Sequence, residues 1–365
     1  MAATTVTPSV LVVGAGPVGL AAANRLARRG ASVRIIDRNA ARTELSKALA
    51  VNVRTLEHLE RCGLSERLIA AGQRINRMRL FRGTEHLASI HLDRLPHRHN
   101  YLISLPQSET ERILEEDLAS LGISVERETP LTAFEADGET VRATLAPAAG
   151  EPTTVAADYL IGADGAHSTV RKALGVGFPG GRHEFKWNLA DVEIDGPYGD
   201  DEVTMHLHPA HAMLVIPMGR RRFRIVTTVP DALSRLPMGR IVGAPGWQTD
   251  FASSHRIVDS YGAGRVFLAG DAAHLHSPAG GRGMNLGIED ATVLADRIVD
   301  GGLETYSDDR RRVGQSIVAQ TDRMLAMATL RHPLGRAVRD LVLRHLIPTE
   351  AVQRRLRPRL MGIAD

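Results

Sequence analysis

Residues 10–19 read VLVVGAGPVG, and no other stretch constrains the fold as strongly. A short apolar run at 10–13 leads directly into Gly14, Gly16 and Gly19. The small-residue segment GLAAANRLARR follows, with Gly30 where a helix C-cap belongs. A second apolar run, SVRIID, ends at Asp37, roughly 20 residues past the glycines, where such a unit presents an acid to a ribose. The pattern predicts strand, tight turn, helix and parallel strand: a dinucleotide-binding unit. Gly14 permits the turn, Gly16 lets a pyrophosphate approach the backbone, and Gly19 lets helix and strand pack closely. Asp37 is the expected ribose acceptor.

The 365 residues suit two intertwined domains, and an apolar content of 43% supports a substantial core. No apolar run reaches the length of a membrane span. The opening MAATTVTPS lacks the pattern of a secretory signal. The single cysteine, Cys62, excludes an internal disulfide and points to a reducing, cytoplasmic setting, with the thiol used for packing. The net charge is only +3, almost all of the base is arginine, and no aromatic-interleaved basic stripe occurs, which argues against nucleic acid as a partner. The basic segment 331–359 is expected to pack on the body rather than to lie on a membrane. A monomer or homodimer is expected.

Along the chain, SKALAVNVRTLEHLERCGL has helical spacing and stops at Gly63. Residues 76–101 read as short strands and turns. Ser108 and Glu111 have capping-box spacing ahead of the helical stripe Ile113, Leu114, Leu118 and Leu121, so Glu111 is expected to cap that helix. ISVERE, LTAFEAD, VRATLA and DYLIGAD read as strands, as does most of 185–257. VFLAGDAA reads as a buried strand, NLGIEDATVLADRIV as a long helix, and the remainder from 303 as helical. The expected fold class is α/β. A Rossmann-like nucleotide-binding domain is interrupted by an inserted, mostly β-sheet substrate domain and followed by C-terminal helices. The nucleotide-binding domain takes 1–75, 102–183 and 258–302. The sheet domain takes 76–101 and 184–257, and 303–365 form the helical segment.

Two further motifs accompany the first. DYLIGADGAHSTVRKALG ends a strand at Asp164-Gly165 and then enters a helix carrying Arg171. RVFLAGDAAHLHSPAGGRGMNLGIEDA delivers Asp271 at the end of a strand, where open α/β sheets place ligand groups. Its loop through Pro278, Gly280, Gly281 and Gly283 exposes backbone at the start of a helix near Asn285, an anion-stabilising end.

Together these motifs resemble the group A flavoprotein monooxygenases, the p-hydroxybenzoate hydroxylase-like FAD-dependent aromatic hydroxylases, over nearly the whole chain. The resemblance implies FAD as cofactor. Gly14, Gly16, Pro17 and Gly19 would hold its pyrophosphate, and Asp37 with Arg38 its adenosine ribose. Gln107 would lie near the ribityl chain. Asp164, in the motif that carries Arg171, would serve both FAD and the nicotinamide cofactor. Gly270 and Asp271 would meet the ribityl or pyrophosphate region. Pro278, Gly281, Gly283, Met284 and Asn285 would line the isoalloxazine ring. The implied reaction is hydroxylation of a phenolic or polyketide-like aromatic, with NADPH or NADH reducing FAD and O2 adding to give a flavin C4a-hydroperoxide. The same motifs admit epoxidation or Baeyer–Villiger insertion, an FAD-dependent reductase or dehydrogenase, and a protein that merely sequesters an aromatic ligand.

The sequence departs from the family in two places. Lys47-Ala48 stands where an arginine commonly precedes the alanine, keeping charge without the planar fork, so Lys47 is a weaker FAD contact. The region between Val229 and Trp247 is short for the family, so the substrate cavity is expected to be clipped or more open. A thioredoxin-like C-terminal extension, such as larger relatives carry, is not expected. A second glycine pattern, GVGFPG at 175–180, follows no strand and contains Pro179, so it is not expected to bind a nucleotide; the nicotinamide cofactor would dock in a surface groove. Met205, Leu207, Leu214, Ile216 and Met218 alternate at period two and are the candidate substrate wall. His276, Pro278, Arg222 and Arg224 are candidates for contact with substrate or flavin, and no catalytic base stands out. His206, His208 and His211 lack a carboxylate or cysteine at ligand spacing, so no metal is expected.

Overall fold

The computed structural model describes residues 7–44, 48–209, 211–228, 233 and 236–364. Lys47 lies outside the described residues. The strand Ser9–Val13 sits inside a six-stranded sheet. It pairs in parallel with Ser32–Ile36 on one side and Tyr159–Gly162 on the other. Val266–Leu268 and Val125–Glu126 extend the parallel array, and Gly262–Ala263 closes one edge antiparallel. Val10, Leu11, Val12 and Val13 are all buried, as a parallel strand covered on both faces requires. The helix Pro17–Arg28 buries three consecutive alanines, Ala21, Ala22 and Ala23, and packs against the long helix Gly283–Asp300. The first and last motifs of the sequence thus meet through their own helices.

Two expectations need correction. The strand of VFLAGDAA stops at Leu268, and Gly270–Ala272 forms a 3-10 turn. Gly270 takes φ +63°, and a Cβ there would stand 2.8 Å from Val18 Cγ2. The chain turns because this backbone must clear the start of the nucleotide helix. The capping box does not form either. The helix is Gln107–Ser120, Pro106 occupies the N-cap, and Ser108 lies inside the first turn. Glu111 is instead a buried interior residue that accepts a hydrogen bond from Gln107 Nε2 at 2.8 Å, and burial raises its carboxyl above the ordinary range.

A second sheet has eight strands, in the order His274–Leu275, Arg240–Ile257, Gly180–Asp195, Arg222–Thr227, His211–Gly219, Glu202–His208, Arg77–Arg82 and Glu85–His91. Only Glu202–His208 and Arg77–Arg82 pair in parallel. Period-two alternation sorts its side chains. Met213, Val215, Phe223 and Ile225 join Ala190, Val192 and Ile194 in one apolar cluster. Leu189, Leu214, Ile216, Arg224 and Val226 face a cavity on the other side. The helices Tyr306–Ala328, Pro333–His345 and Glu350–Leu360 follow. Leu360 reaches the cavity, whereas Leu334, Val338 and Leu341 are exposed. No described helix is long and apolar enough to cross a membrane.

Candidate active site

One cavity of about 1210 Å³ runs from the Gly14 loop to the inner face of the eight-stranded sheet. A site for a single drug-sized ligand has roughly 300–1,000 Å³, so the space exceeds the needs of one such molecule.

At the nucleotide end, Gly14 takes φ +103°, and a Cβ there would stand 2.4 Å from Ala163 O. Only glycine lets the first turn pass the Tyr159–Gly162 strand end. Gly16 differs: a Cβ there would meet no protein atom within 4 Å, because this backbone opens into the cavity at the N-terminus of Pro17–Arg28. Asp37 is held by the Ala15 N–H at 2.6 Å and the Asn39 N–H at 2.8 Å, and its oxygens retain lone pairs toward the cavity that it lines. Pro17, Arg38 and Gln107 line the same end. Gly19 stands behind the wall, where a Cβ would collide with Gly14 O.

The other two motifs meet here. Asp164 accepts from the Thr169 N–H at 2.6 Å and from the Ser168 hydroxyl, fixing its loop. Arg171 donates to Ala166 O and Ala272 O, each at 2.9 Å, with its guanidinium 4.1 Å from the Phe178 ring centroid. It ties the Asp164 loop to the Asp271 loop. Asp271, Pro278, Gly281, Gly283 and Met284 line the cavity at the start of Gly283–Asp300. Unpaired N–H groups of a helix's first turn make that end attractive to negative charge.

Asn285 does not line the cavity. Its Oδ1 accepts from the Asn52 N–H and Thr55 Oγ1, and its Nδ2 donates to Ala50 O and Gly281 O. The side chain is spent clasping the glycine loop. Gly270 likewise stands behind the wall, for the packing reason given above.

His276 does line the cavity. Its Nδ1 faces Ser277 O at 2.8 Å, and its Nε2 is buried with no hydrogen-bond partner among the described residues. Burial lowers its pKa to about 4, so the ring is neutral near pH 7. Behind it stands a buried ionic cluster. His274 Nε2 lies 2.7 Å from Asp290 Oδ2, and Arg310 reaches both Asp290 at 2.6 Å and Glu289 at 2.7 Å. Arg310 and His274 hold the Asp290 carboxyl below its ordinary range despite full burial.

On the substrate side, Met205, Leu214 and Ile216 line the cavity as expected from the alternation. Leu207 does not. It is buried with Leu87 and Ala212, one strand position beyond the cavity's end. Met218 is also outside the wall, beyond the register shift at residues 217–219. Arg222 is exposed at the strand end, while Arg224, two residues on, is 2% exposed within the wall. Val203, Phe251, Ser253, Met324 and Leu360 are among further wall residues that were not singled out by the sequence. Their positions depend on register and helix docking, neither of which leaves a local signal. His206 is a core residue bonded to Gly83 O and Tyr198 OH. Among the described residues, His183, His255 and Asp322 each bring a nitrogen or oxygen atom within 4.8 Å of the others. The GVGFPG stretch opens no helix: the strand Gly180–Asp195 begins at its last glycine.

The family model for an FAD binding domain matches residues 7–236 and 229–321, two stretches that overlap at 229–236. The chain belongs to the family of FAD-dependent aromatic monooxygenases. It is 33% identical to the 6-methylpretetramide 4-monooxygenase of Streptomyces rimosus, over 97% of this chain and 68% of that protein. It is 32% identical to a rifampicin monooxygenase of Rhodococcus hoagii, over 97% of this chain and 78% of that one. The crystal structure of p-nitrophenol 4-monooxygenase PnpA from Pseudomonas putida shares the fold at a TM-score of 0.87, with 98% of both chains covered and 22% identity. The geometry fits the family's cofactor, FAD. The open backbone at Gly16 leaves room for a pyrophosphate, the fixed Asp37 carboxylate can accept from a ribose, and the glycine loop and helix end can take a flat, electron-accepting ring.

Proposed function

We propose that this FAD-dependent monooxygenase hydroxylates a phenolic or polyketide-like aromatic small molecule with NADPH or NADH as reductant and O2 as oxygen source. One observation carries the reading: the nucleotide cradle and the apolar sheet face share a single cavity, so a flavin ring at Gly281–Met284 and an aromatic ring at Leu214 and Ile216 would lie in one enclosure. Bound FAD would supply the redox and oxygen chemistry. The protein's part is orientation, charge stabilisation and exclusion of water. The N-terminus of Gly283–Asp300 favours negative charge at the ring's edge. Neutral His276 offers an unpaired Nε2 as acceptor to a hydroxyl. Val203, Met205, Leu214, Ile216 and Val226 form an apolar wall for the substrate ring. Relatives named for oxygenating 6-methylpretetramide and rifampicin support a substrate larger than one ring. The same reading assigns FAD to the part around the six-stranded sheet and substrate to the eight-stranded one. It takes the protein to be a cytoplasmic monomer or homodimer, in keeping with a single buried thiol whose pKa burial pushes up to about 11.

The test is made on purified protein. A visible flavin spectrum, with NAD(P)H oxidation and O2 uptake rising together in the presence of one aromatic hydroxyl compound, and a product heavier by one oxygen, is the expected result. Reductant consumed without O2 uptake, while a substrate gains hydrogen, would replace the reading by a reductase.

A further inference from the structure

The strands Gly180–Asp195 and Arg240–Ile257 do not pair evenly. Arg182 is opposite Ser254 and Lys186 opposite Ala252, so three residues, 183–185, face the single Ser253. Such bulges re-aim side chains and are enriched beside active sites. Here the bulge brings His183 Nδ1 to 2.8 Å from Ser253 Oγ. His183 Nε2 lies 3.4 Å from Asp322 Oδ1, on the helix Tyr306–Ala328. Trp187 Nε1 donates to Ser253 Oγ at 2.9 Å.

A serine hydroxyl has one hydrogen and two lone pairs. Trp187 takes one lone pair, and the hydrogen is directed to His183 Nδ1, the arrangement in which Nε2–H faces the Asp322 carboxylate. The second lone pair is left for the cavity, which Ser253 lines and which His183 and Asp322 do not. Exposure rises outward: Ser253 is 6% exposed, the His183 side chain 12% and the Asp322 side chain 37%. The three groups form a hydrogen-bonded line from the cavity wall to solvent.

We propose that Ser253, His183 and Asp322 relay the proton of the substrate's aromatic hydroxyl out of the cavity. This rests on the phenolic-substrate reading above. In the step, the substrate O–H bond breaks and its proton passes to Ser253 Oγ while the serine's own proton passes to His183 Nδ1. The imidazolium is held by Asp322 and then loses its Nε2 proton to water. No electron is transferred. The product is an aryl oxide, more electron-rich at its ring carbons and so a better acceptor of an electrophilic oxygen. Ser253 touches the substrate, and His183 and Asp322 act through it. Among the described residues, His255 stands edge-on to the His183 ring at 5.1 Å, and Arg182 and Glu184 flank His183 on its own strand. Arg256, next to His255, is directed to Phe178 O.

The experiment uses FAD-loaded protein and the phenol that most stimulates NAD(P)H oxidation by the wild type. Product formation is followed against pH, from neutrality to about pH 10, where a simple phenol ionises unaided. His183→Gln and Ser253→Ala are expected to lower kcat by on the order of a hundredfold at neutral pH, Asp322→Asn less, and all three to recover as pH rises, with FAD content unchanged. No loss, or a loss equal at every pH, overturns the relay. Should His183→Gln fold poorly, Asp322→Asn on the surface decides: a flat pH ratio to wild type overturns the proposal. Wild-type activity abolished by EDTA and restored by zinc would make His183, His255 and Asp322 metal ligands and likewise overturn it. A wild type that no phenol stimulates defeats the function reading itself and takes the relay with it, whereas an active wild type with pH-flat variants defeats the relay alone.

Discussion

Arg224 and Asp191 are direct partners in the register of neighbouring antiparallel strands, and their side chains meet in two parallel hydrogen bonds, Nε to Oδ1 at 2.7 Å and Nη2 to Oδ2 at 2.8 Å. The Arg224 side chain is 2% exposed and the Asp191 side chain 15%. The guanidinium lies 5.2 Å from the Trp247 ring centroid and forms part of the cavity wall. A fixed guanidinium is thereby built into the substrate side of the cavity, beside the apolar Leu214 and Val226. Removing one member of such a pair takes from a buried charge its bidentate partner. Asp191→Asn is therefore expected to destabilise the protein by about 3–5 kcal/mol, read as a lower midpoint in urea unfolding. Arg224→Met strands the Asp191 carboxylate in turn, so it is expected to cost stability as well, somewhat less because Asp191 is the more exposed partner, and to raise KM for the aromatic substrate. No stability loss in either variant would show that the pair's charge balance is not what matters.

Gly14 and Gly16 are two residues apart and should fail differently. Gly14→Ala forces a Cβ against Ala163 O at a backbone angle that side chains rarely adopt, so the fold itself should suffer. Gly16→Ala meets no protein atom. It should leave apo-protein Tm unchanged and weaken FAD at least about tenfold, equivalent to 1.4 kcal/mol. Flavin fluorescence titration beside thermal melts separates the two.

Arg171 holds two backbone carbonyls from different motifs, Ala166 O and Ala272 O. Arg171→Ala strands both acceptors, at about 1–3 kcal/mol each, and frees the Asp271 loop. The expected outcome is reduced FAD retention on gel filtration. Arg171→Lys keeps the charge but cannot span both carbonyls, so it should rescue retention poorly. Full rescue by lysine would mean that charge alone matters.

Acid should destabilise this protein well above the carboxylate range. His58 and His206 are buried and each has its pKa lowered by desolvation to about 4. The unfolded chain takes up these protons near pH 6.5 and the folded protein only near 4. Stability is thus fully present above pH 6.5 and falls as pH drops from 6.5 to 4, by up to about 3 kcal/mol per residue. Urea unfolding at stepped pH measures the slope. His206→Gln should flatten it, and an unchanged slope would remove His206 from the account.

The nucleotide side was legible in the sequence because its demands are local. A turn that only glycine can make, a backbone that must stay bare and an acid at the end of the next strand are written in contiguous residues, and Gly14, Gly16 and Asp37 line one cavity with Asp164 and Asp271. Alternation likewise separated Leu214 and Ile216 from Met213 and Val215, since side chains on a strand must take opposite faces. Face parity says nothing about where along a strand the cavity ends, and for this reason Leu207, Met218 and Arg222 fell outside it while Val203 fell within. Nor does a sequence show that Asn285 is consumed by four hydrogen bonds, that Arg224 finds Asp191, or that a bulge turns His183 to Ser253. Those are long-range pairings fixed by strand register and by which helix docks on which sheet. The chain's own order therefore determined the unit that cradles the dinucleotide, and only tertiary packing decided what faces the substrate.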